Sequence, residues 1–133
     1  MKKTLFLLIL FVSIIMESNS QIANTEVITN LSSEQFKEKL TEDKKAIIID
    51  LRTDDELGKG QIPGAVQMNY LGKNFDTQIA ALDKNKTYYL YCQGGGRSAD
   101  AAQYMEKQGF KKVYNLEKGF SDWKAKGFPV DKK

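Results

Sequence analysis

The sequence contains no histidine, only one cysteine and little imbalance of charge, and each scarcity narrows the possible chemistry. Without histidine, both a Cys–His catalytic dyad and a histidine-ligated zinc site are excluded. With Cys92 alone, the chain cannot form an internal disulfide, so the fold must be held by its hydrophobic core. The 133 residues are enough for one domain with a modest core. The lone thiol is therefore the first candidate for a chemical role.

The charged residues are nearly balanced, since 20 basic and 17 acidic side chains leave a net charge of +3. The lysines are scattered along the chain, whereas a nucleic-acid-binding domain concentrates them in a patch or stripe. We therefore expect no nucleic-acid partner and interpret the charges as surface solvation.

Residues 1–20 are typical of a signal peptide. A positive start, Met1–Lys3, precedes the apolar run Leu5–Met16, and small polar residues follow before Gln21. The run is shorter than the roughly 20 residues that a membrane-spanning helix needs. We expect cleavage before Gln21 and a mature domain over residues 21–133, exported to the periplasm or secreted, with no stable membrane association. The alternative is an uncleaved membrane anchor.

Strand-like and helix-like segments alternate along the rest of the chain. Short apolar or β-branched runs predict strands, and apolar residues at helical spacing predict helices. This pattern predicts an α/β fold of three layers, in which a central parallel sheet of about five strands is flanked by helices. The predicted strands cover residues 26–28, 46–49, 65–68, 87–91 and 112–116. The first predicted helix begins at Ser32, and the other three cover residues 75–82, 98–108 and 120–126.

The segment from Cys92 to Ser98 joins the strongest predicted strand to a helix, which is where open parallel sheets bind ligands. Successive glycine amides at such a turn can form a nest for an anion, and the helix adds its positive end. Both effects predict a lowered pKa for the thiol, hence more reactive thiolate. We predict Cys92 as the catalytic residue, with anion binding by Gln93, Gly94, Gly95, Gly96, Arg97 and Ser98.

Structural explanations compete with each of these assignments. Cys92 could be an inert buried thiol, and the glycines could form a plain flexible turn. The cluster Asp50, Arg52 and Glu56 is interpreted as structural, an ion pair that fixes the turn after the second strand beside the site. Phe120, Trp123 and most of the tyrosines of strand 87–91 are interpreted as core aromatics.

Three motifs in order resemble the rhodanese family. The loop matches the family pattern of cysteine, glycine, arginine and serine at Cys92, Gly95, Arg97 and Ser98. An upstream signature runs from Asp50 through Glu56 to Ala65, and a C-terminal signature from Gly109 to Val130. Gln61 and Lys118 depart from it, since the family usually has histidine and glycine there. The resemblance covers about residues 26–130.

The resemblance implies a sulfurtransferase. The Cys92 thiolate would take sulfane sulfur from thiosulfate or a persulfide, and a thiophilic acceptor such as cyanide or a thiol would remove it. The expected partners are thus small-molecule donors and acceptors, or a protein thiol as acceptor. Such covalent chemistry with electrostatic support needs no metal, cofactor or general base.

Three other functions compete with sulfur transfer. Rhodanese-like domains can also be non-catalytic binding or regulatory modules, which have no need of a charged thiolate nest. Tyrosine phosphatases use a cysteine-to-arginine loop that is one residue longer, so a tighter loop favours a single sulfur atom over phosphate. Redox thiol exchange is disfavoured because no resolving cysteine is present.

Overall fold

The computed structural model describes residues 26–132, and the predicted signal peptide at residues 1–20 lies outside them. Five strands and five helices alternate strictly along this part of the chain. The strands are β1 (Ile28–Leu31), β2 (Ile47–Asp50), β3 (Val66–Gln67), β4 (Thr87–Tyr91) and β5 (Lys112–Leu116). The helices are α1 (Ser33–Glu42), α2 (Asp54–Leu57), α3 (Phe75–Ala80), α4 (Gly96–Lys107) and α5 (Gly119–Ala125).

The strands form one parallel sheet in the order β1-β5-β4-β2-β3. Side chains alternate along β4, so that Tyr88 and Leu90 pack in one core cluster while Tyr89 and Tyr91 pack in the other. Helices α3 and α4 cover the first cluster, and α1 and α5 cover the second. This confirms the predicted three-layer α/β fold with five parallel strands, because each face of the sheet is buried under helices.

The element boundaries shift by a few residues from those predicted. The first strand begins at Ile28, where the prediction ended, because pairing with β5 rather than local composition sets its limits. The prediction of a capping box at the start of α1 is confirmed, since the Ser32 hydroxyl accepts from the Gln35 amide and the Gln35 side chain accepts from the Ser32 amide. Phe120 and Trp123 are core aromatics, as predicted.

A short helix, α2, was missed by the sequence analysis. It has only four residues and no apolar periodicity, so the spacing of apolar residues could not predict it. A signal was present nevertheless: Thr53 and Glu56 form a capping box, with the Thr53 hydroxyl accepting from the Glu56 amide. This helix matters because it delivers Glu56 to the site described below.

The carboxyl ends of all five strands lie at one edge of the sheet, and β4 lies between β2 and β5. The segments that follow β2, β4 and β5 therefore meet at this edge. Among residues 26–132, no helix is long and apolar enough to cross a membrane.

Candidate active site

The loop that follows β4 connects the sheet to α4 in a very short path. Cys92 comes directly after the strand, and α4 begins at Gly96, with Gly95 as its N-cap in a left-handed conformation. The N-terminus of α4 therefore lies next to the start of the loop, and the predicted strand–loop–helix arrangement is present. This arrangement places backbone amides and the positive end of a helix of 12 residues beside the thiol.

The Cys92 thiol is buried, with 1% of the residue exposed, yet it is surrounded by hydrogen-bond donors. The Gly95 amide donates to Sγ at 3.1 Å, and the Ser98 hydroxyl lies 3.4 Å from it. Burial is the largest influence on the pKa of Cys92 and raises it. The Ser98 hydroxyl and the amides of Ser98, Gly95 and Gly94 together outweigh that effect, so that the pKa is lowered from its ordinary value.

Two glycines allow the loop to lie against the turn between β5 and α5. Both Gly95 and Gly119 have positive φ, and a Cβ atom on either would overlap a backbone carbonyl oxygen, that of Glu117 or of Gln93. The Phe120 amide then donates to the Cys92 carbonyl at 2.8 Å. The loop conformation is therefore fixed by backbone contacts with the neighbouring turn. By contrast, the predicted ligands Gly94 and Gly96 have open space where a side chain would be.

Arg97 is bound to a carboxylate on α2. Its two terminal nitrogens each donate to one carboxylate oxygen of Glu56 at 2.8 Å, and both side chains are 24% exposed. The hydrogen bonds from Arg97 are the main reason that the pKa of Glu56 falls to about 2. The sequence analysis placed Glu56 with Arg52 in a structural cluster. Arg52 does contact Glu56, since its Nη1 donates to the Glu56 backbone carbonyl at 3.2 Å, but the Glu56 carboxylate pairs with Arg97 instead.

The Gln93 side chain points away from the thiol. Its Oε1 accepts from Nη1 of Arg52 at 3.3 Å, and its Nε2 donates to the Ser121 hydroxyl at 2.9 Å. The side chain thus links the loop to the segment after β2 and to α5. Only the backbone of Gln93 remains available for the predicted anion binding.

A fully buried ion pair supports the loop from below. Asp50 and Arg52 are both 0% exposed, and Nη2 of Arg52 lies 2.8 Å from Oδ2 of Asp50. The Tyr91 hydroxyl also donates to Oδ2 of Asp50 at 2.6 Å, and the Arg52 guanidinium stacks 4.0 Å from the ring centre of Phe120. The predicted ion pair after the second strand is therefore present. The hydrogen bond of the Tyr91 hydroxyl was not predicted, because a tyrosine in a strand pattern indicates only an apolar side chain.

Among residues 26–132, no group of three or more cysteine, aspartate or glutamate side chains is placed to hold a metal ion. The site consists of one thiol, its amide donors and two ion pairs.

Comparison with known proteins identifies the family. Residues 32–126, more than half of the chain, match the Rhodanese-like domain family. This chain belongs to the rhodanese-like domain family. The match includes the loop after β4, α2 and the buried ion pair, so the family covers every residue of the site described above.

Two curated relatives from Bacillus subtilis (strain 168) are similar to this rhodanese-like domain. The "Putative sulfurtransferase YtwF" is 36% identical over 102 residues, which cover 77% of this chain and 96% of that protein. The "Putative sulfur carrier protein YrkF" is 40% identical over 103 residues, covering 77% of this chain but only 55% of that longer protein. These names support rhodanese-type sulfur transfer as the general class of activity.

A solved structure supports the fold independently. The Rhodanese-like Domain Protein from Staphylococcus aureus superposes with a TM-score of 0.68 at 32% identity, and the match covers 79% of this chain and 98% of that one. The three-layer architecture is therefore that of the rhodanese-like domains.

Proposed function

We propose that this rhodanese-like domain is an enzyme that moves sulfane sulfur from a donor to a thiophilic acceptor through a persulfide on Cys92. The observation that carries the proposal is the Gly95 amide donating to Sγ at 3.1 Å within a loop that lowers the pKa of Cys92. A thiolate is the reactive form of cysteine, and a cysteine that served only to fill the core would gain nothing from being ionised.

The proposed reaction has two half-steps. In the first, the Cys92 thiolate attacks the outer sulfur of thiosulfate or of a persulfide; the donor S–S bond breaks, and sulfite or a thiolate leaves with the electron pair. The result is an anionic persulfide, Cys92–S–S⁻. In the second, cyanide or a thiolate attacks the outer sulfur, and Cys92 leaves as a thiolate. No general base is needed, since the nucleophile is already deprotonated.

The loop supplies electrostatic support for the persulfide. The amides that lower the pKa of Cys92 are those of Gly94, Gly95 and Ser98, and the same donors would stabilise a terminal anionic sulfur. The Arg97 guanidinium also attracts the thiolate, although both of its terminal nitrogens are bound to the carboxylate of Glu56. Small-molecule donors and acceptors fit this chemistry, and so does a protein thiol as acceptor.

Steady-state thiocyanate formation from thiosulfate and cyanide tests the proposal. Wild-type protein is expected to turn over, whereas Cys92→Ser and Cys92→Ala are expected to be inactive although their thermal unfolding shows that they are folded. An alkyl persulfide, assayed by release of its parent thiol, serves as a second donor. Absence of turnover with both donors, or activity retained by Cys92→Ser, would contradict the proposal.

A non-catalytic binding module is the second candidate, and the 1% exposure of Cys92 is the observation that favours it. A docking domain can bury its cysteine permanently, while an enzyme must open a path to the sulfur. The wild-type assay distinguishes the candidates, because a docking domain would bind its partner but would transfer no sulfur.

We also propose that the protein is exported, with residues 1–20 removed as a signal peptide. The support is the positive start, the short apolar run and the small residues before Gln21. Intact mass measurement on protein expressed with its full N-terminus should show a chain that begins at Gln21 in the periplasm or medium. Full-length protein in the cytoplasm alone would contradict this.

A further inference from the structure

The only side-chain cation in the loop between Cys92 and Ser98 is already neutralised. Arg97 gives both terminal nitrogens to Glu56, at 2.8 Å each, in the parallel geometry that makes guanidinium–carboxylate pairs strong. Both side chains are only 24% exposed, so water screens the pair less than it would a surface ion pair. An anionic substrate therefore meets a neutral pair rather than a free guanidinium.

Glu56 is held in this position from its other side as well. Its Oε1 accepts hydrogen bonds at 3.1 Å from both the amide and the hydroxyl of Thr53, as part of the capping box of α2. With its pKa near 2, the carboxylate is ionised at any pH at which the enzyme would work. Glu56 is thus a fixed negative charge beside the loop, not a side chain that happens to meet Arg97.

We propose that Glu56 determines the charge of the sulfur donor: by neutralising Arg97, it disfavours the doubly charged thiosulfate and favours donors that carry a single charge. This rests on the proposed function and names the substrate class of the same site. The backbone amides can hold one anionic sulfur atom, and a free cation beside them would stabilise a doubly charged donor more than a singly charged one. By pairing with Arg97, Glu56 removes the net positive charge that would favour the dianion.

Two sulfur donors differ in net charge but undergo the same reaction with the Cys92 thiolate. Thiosulfate and methanethiosulfonate both carry a terminal sulfane sulfur on a sulfonyl sulfur, but they bear two negative charges and one, respectively. The Cys92 thiolate attacks the terminal sulfur in each case and the S–S bond breaks. Sulfite leaves from thiosulfate and methanesulfinate from methanethiosulfonate, each with the bonding electron pair, and the same anionic persulfide remains.

The test compares these donors in wild type and in Glu56→Gln. Glutamine is also accepted at this position of a capping box, so the variant keeps α2 capped while it removes the charge and half of the Arg97 contact. The measured quantity is the ratio of the second-order rate constants for sulfur loading, thiosulfate over methanethiosulfonate. Any change in the thiolate fraction of Cys92 affects both donors equally and cancels in this ratio.

We expect the ratio to rise by roughly tenfold in Glu56→Gln at low ionic strength, since a change of one unit of charge beside the site has an effect of about that size. In about 0.5 M salt the rise should be smaller, because the salt screens the charges. Asp55→Asn is the matched control. It removes the same charge from the same helix at an exposed position that does not contact Arg97, and its ratio should stay within about twofold of wild type.

The outcomes are distinguishable from failure of the proposed function. If wild type loads sulfur but Glu56→Gln leaves the ratio unchanged, or if Asp55→Asn raises it equally, the role of Glu56 is overturned while sulfur transfer stands. If wild type takes sulfur from neither donor nor from an alkyl persulfide, the proposed function itself fails, and this inference fails with it.

Discussion

At the scale of single residues, the environment of Cys92 is a balance between burial and hydrogen bonding. Burial alone would keep the thiol protonated, and it is the largest single influence on its pKa. Four hydrogen-bonding groups, the Ser98 hydroxyl and the amides of Ser98, Gly95 and Gly94, reverse the outcome. The position of Cys92 at the turn from β4 to α4 could be predicted from the sequence. Its near-complete burial could not, because it depends on how tightly the loop packs against the turn after β5.

Ser98→Ala should raise the pKa of Cys92, because the hydroxyl hydrogen bond that stabilises the thiolate is lost while the backbone amides remain. The rate of alkylation by iodoacetamide, measured against pH, should then reach its half-maximum at a higher pH than in wild type. Ser121→Ala removes a hydroxyl that accepts a hydrogen bond from the Gln93 side chain rather than contacting the thiol, and it should leave the profile unchanged. A Ser98→Ala profile that coincides with wild type would show that the hydroxyl does not stabilise the thiolate.

At the scale of elements, the conformation of the loop after β4 should depend more on Gly95 than on Gly94. Gly95→Ala places a side chain at positive φ against the Glu117 carbonyl and should lower the free energy of unfolding by about 1–3 kcal/mol. Gly94→Ala, where a Cβ meets nothing, should change it by less than about 1 kcal/mol. Urea unfolding of both variants checks this. If both substitutions changed the free energy of unfolding equally, the loop would not pack against the turn between β5 and α5.

The ion pair between α2 and the start of α4 should make stability depend on acid pH. The folded pKa of Glu56, about 2, lies below its ordinary value of 4.5. The stability that it contributes is therefore fully present above pH 4.5 and is lost as the pH falls toward 2. Because the pair is partly exposed, we expect a contribution of roughly 1–2 kcal/mol.

Urea unfolding at a series of pH values from neutral to acid measures this contribution. Glu56→Gln should lose less stability than wild type over the interval below pH 4.5, because it has no carboxylate to protonate. Asp55→Asn, which keeps the ion pair, should follow wild type. Parallel curves for wild type and Glu56→Gln would show that Arg97 and Glu56 are not coupled in solution.

At the scale of the whole molecule, strand order creates the site. The adjacency of β2 and β4, with Asp50 in register with Tyr91, brings the buried ion pair under the loop that starts at Cys92. The alternation of elements predicted a parallel sheet and a site at its carboxyl edge. It could not predict the strand order, and hence not the meeting of Glu56 with Arg97, which are 41 residues apart in the chain. Contacts of that kind depend on which segments the sheet places side by side.

The buried ion pair should be indispensable as a pair. Arg52→Ala leaves the Asp50 carboxylate buried without its cation and should cost about 3–5 kcal/mol of unfolding free energy. The double variant with Asp50→Ala should cost less than the sum of the two single changes, because neither charge is then left unpaired. Urea unfolding of the four proteins in this cycle measures the coupling. Additive effects would show that the two side chains do not depend on each other.

The central claim, that Cys92 carries sulfane sulfur, is tested most directly by intact mass spectrometry. Protein incubated with thiosulfate, methanethiosulfonate or an alkyl persulfide and then desalted should gain the mass of one sulfur atom, located on Cys92 by peptide analysis. Addition of cyanide should remove this mass and release thiocyanate. A chain whose mass is unchanged by all three donors would contradict the account.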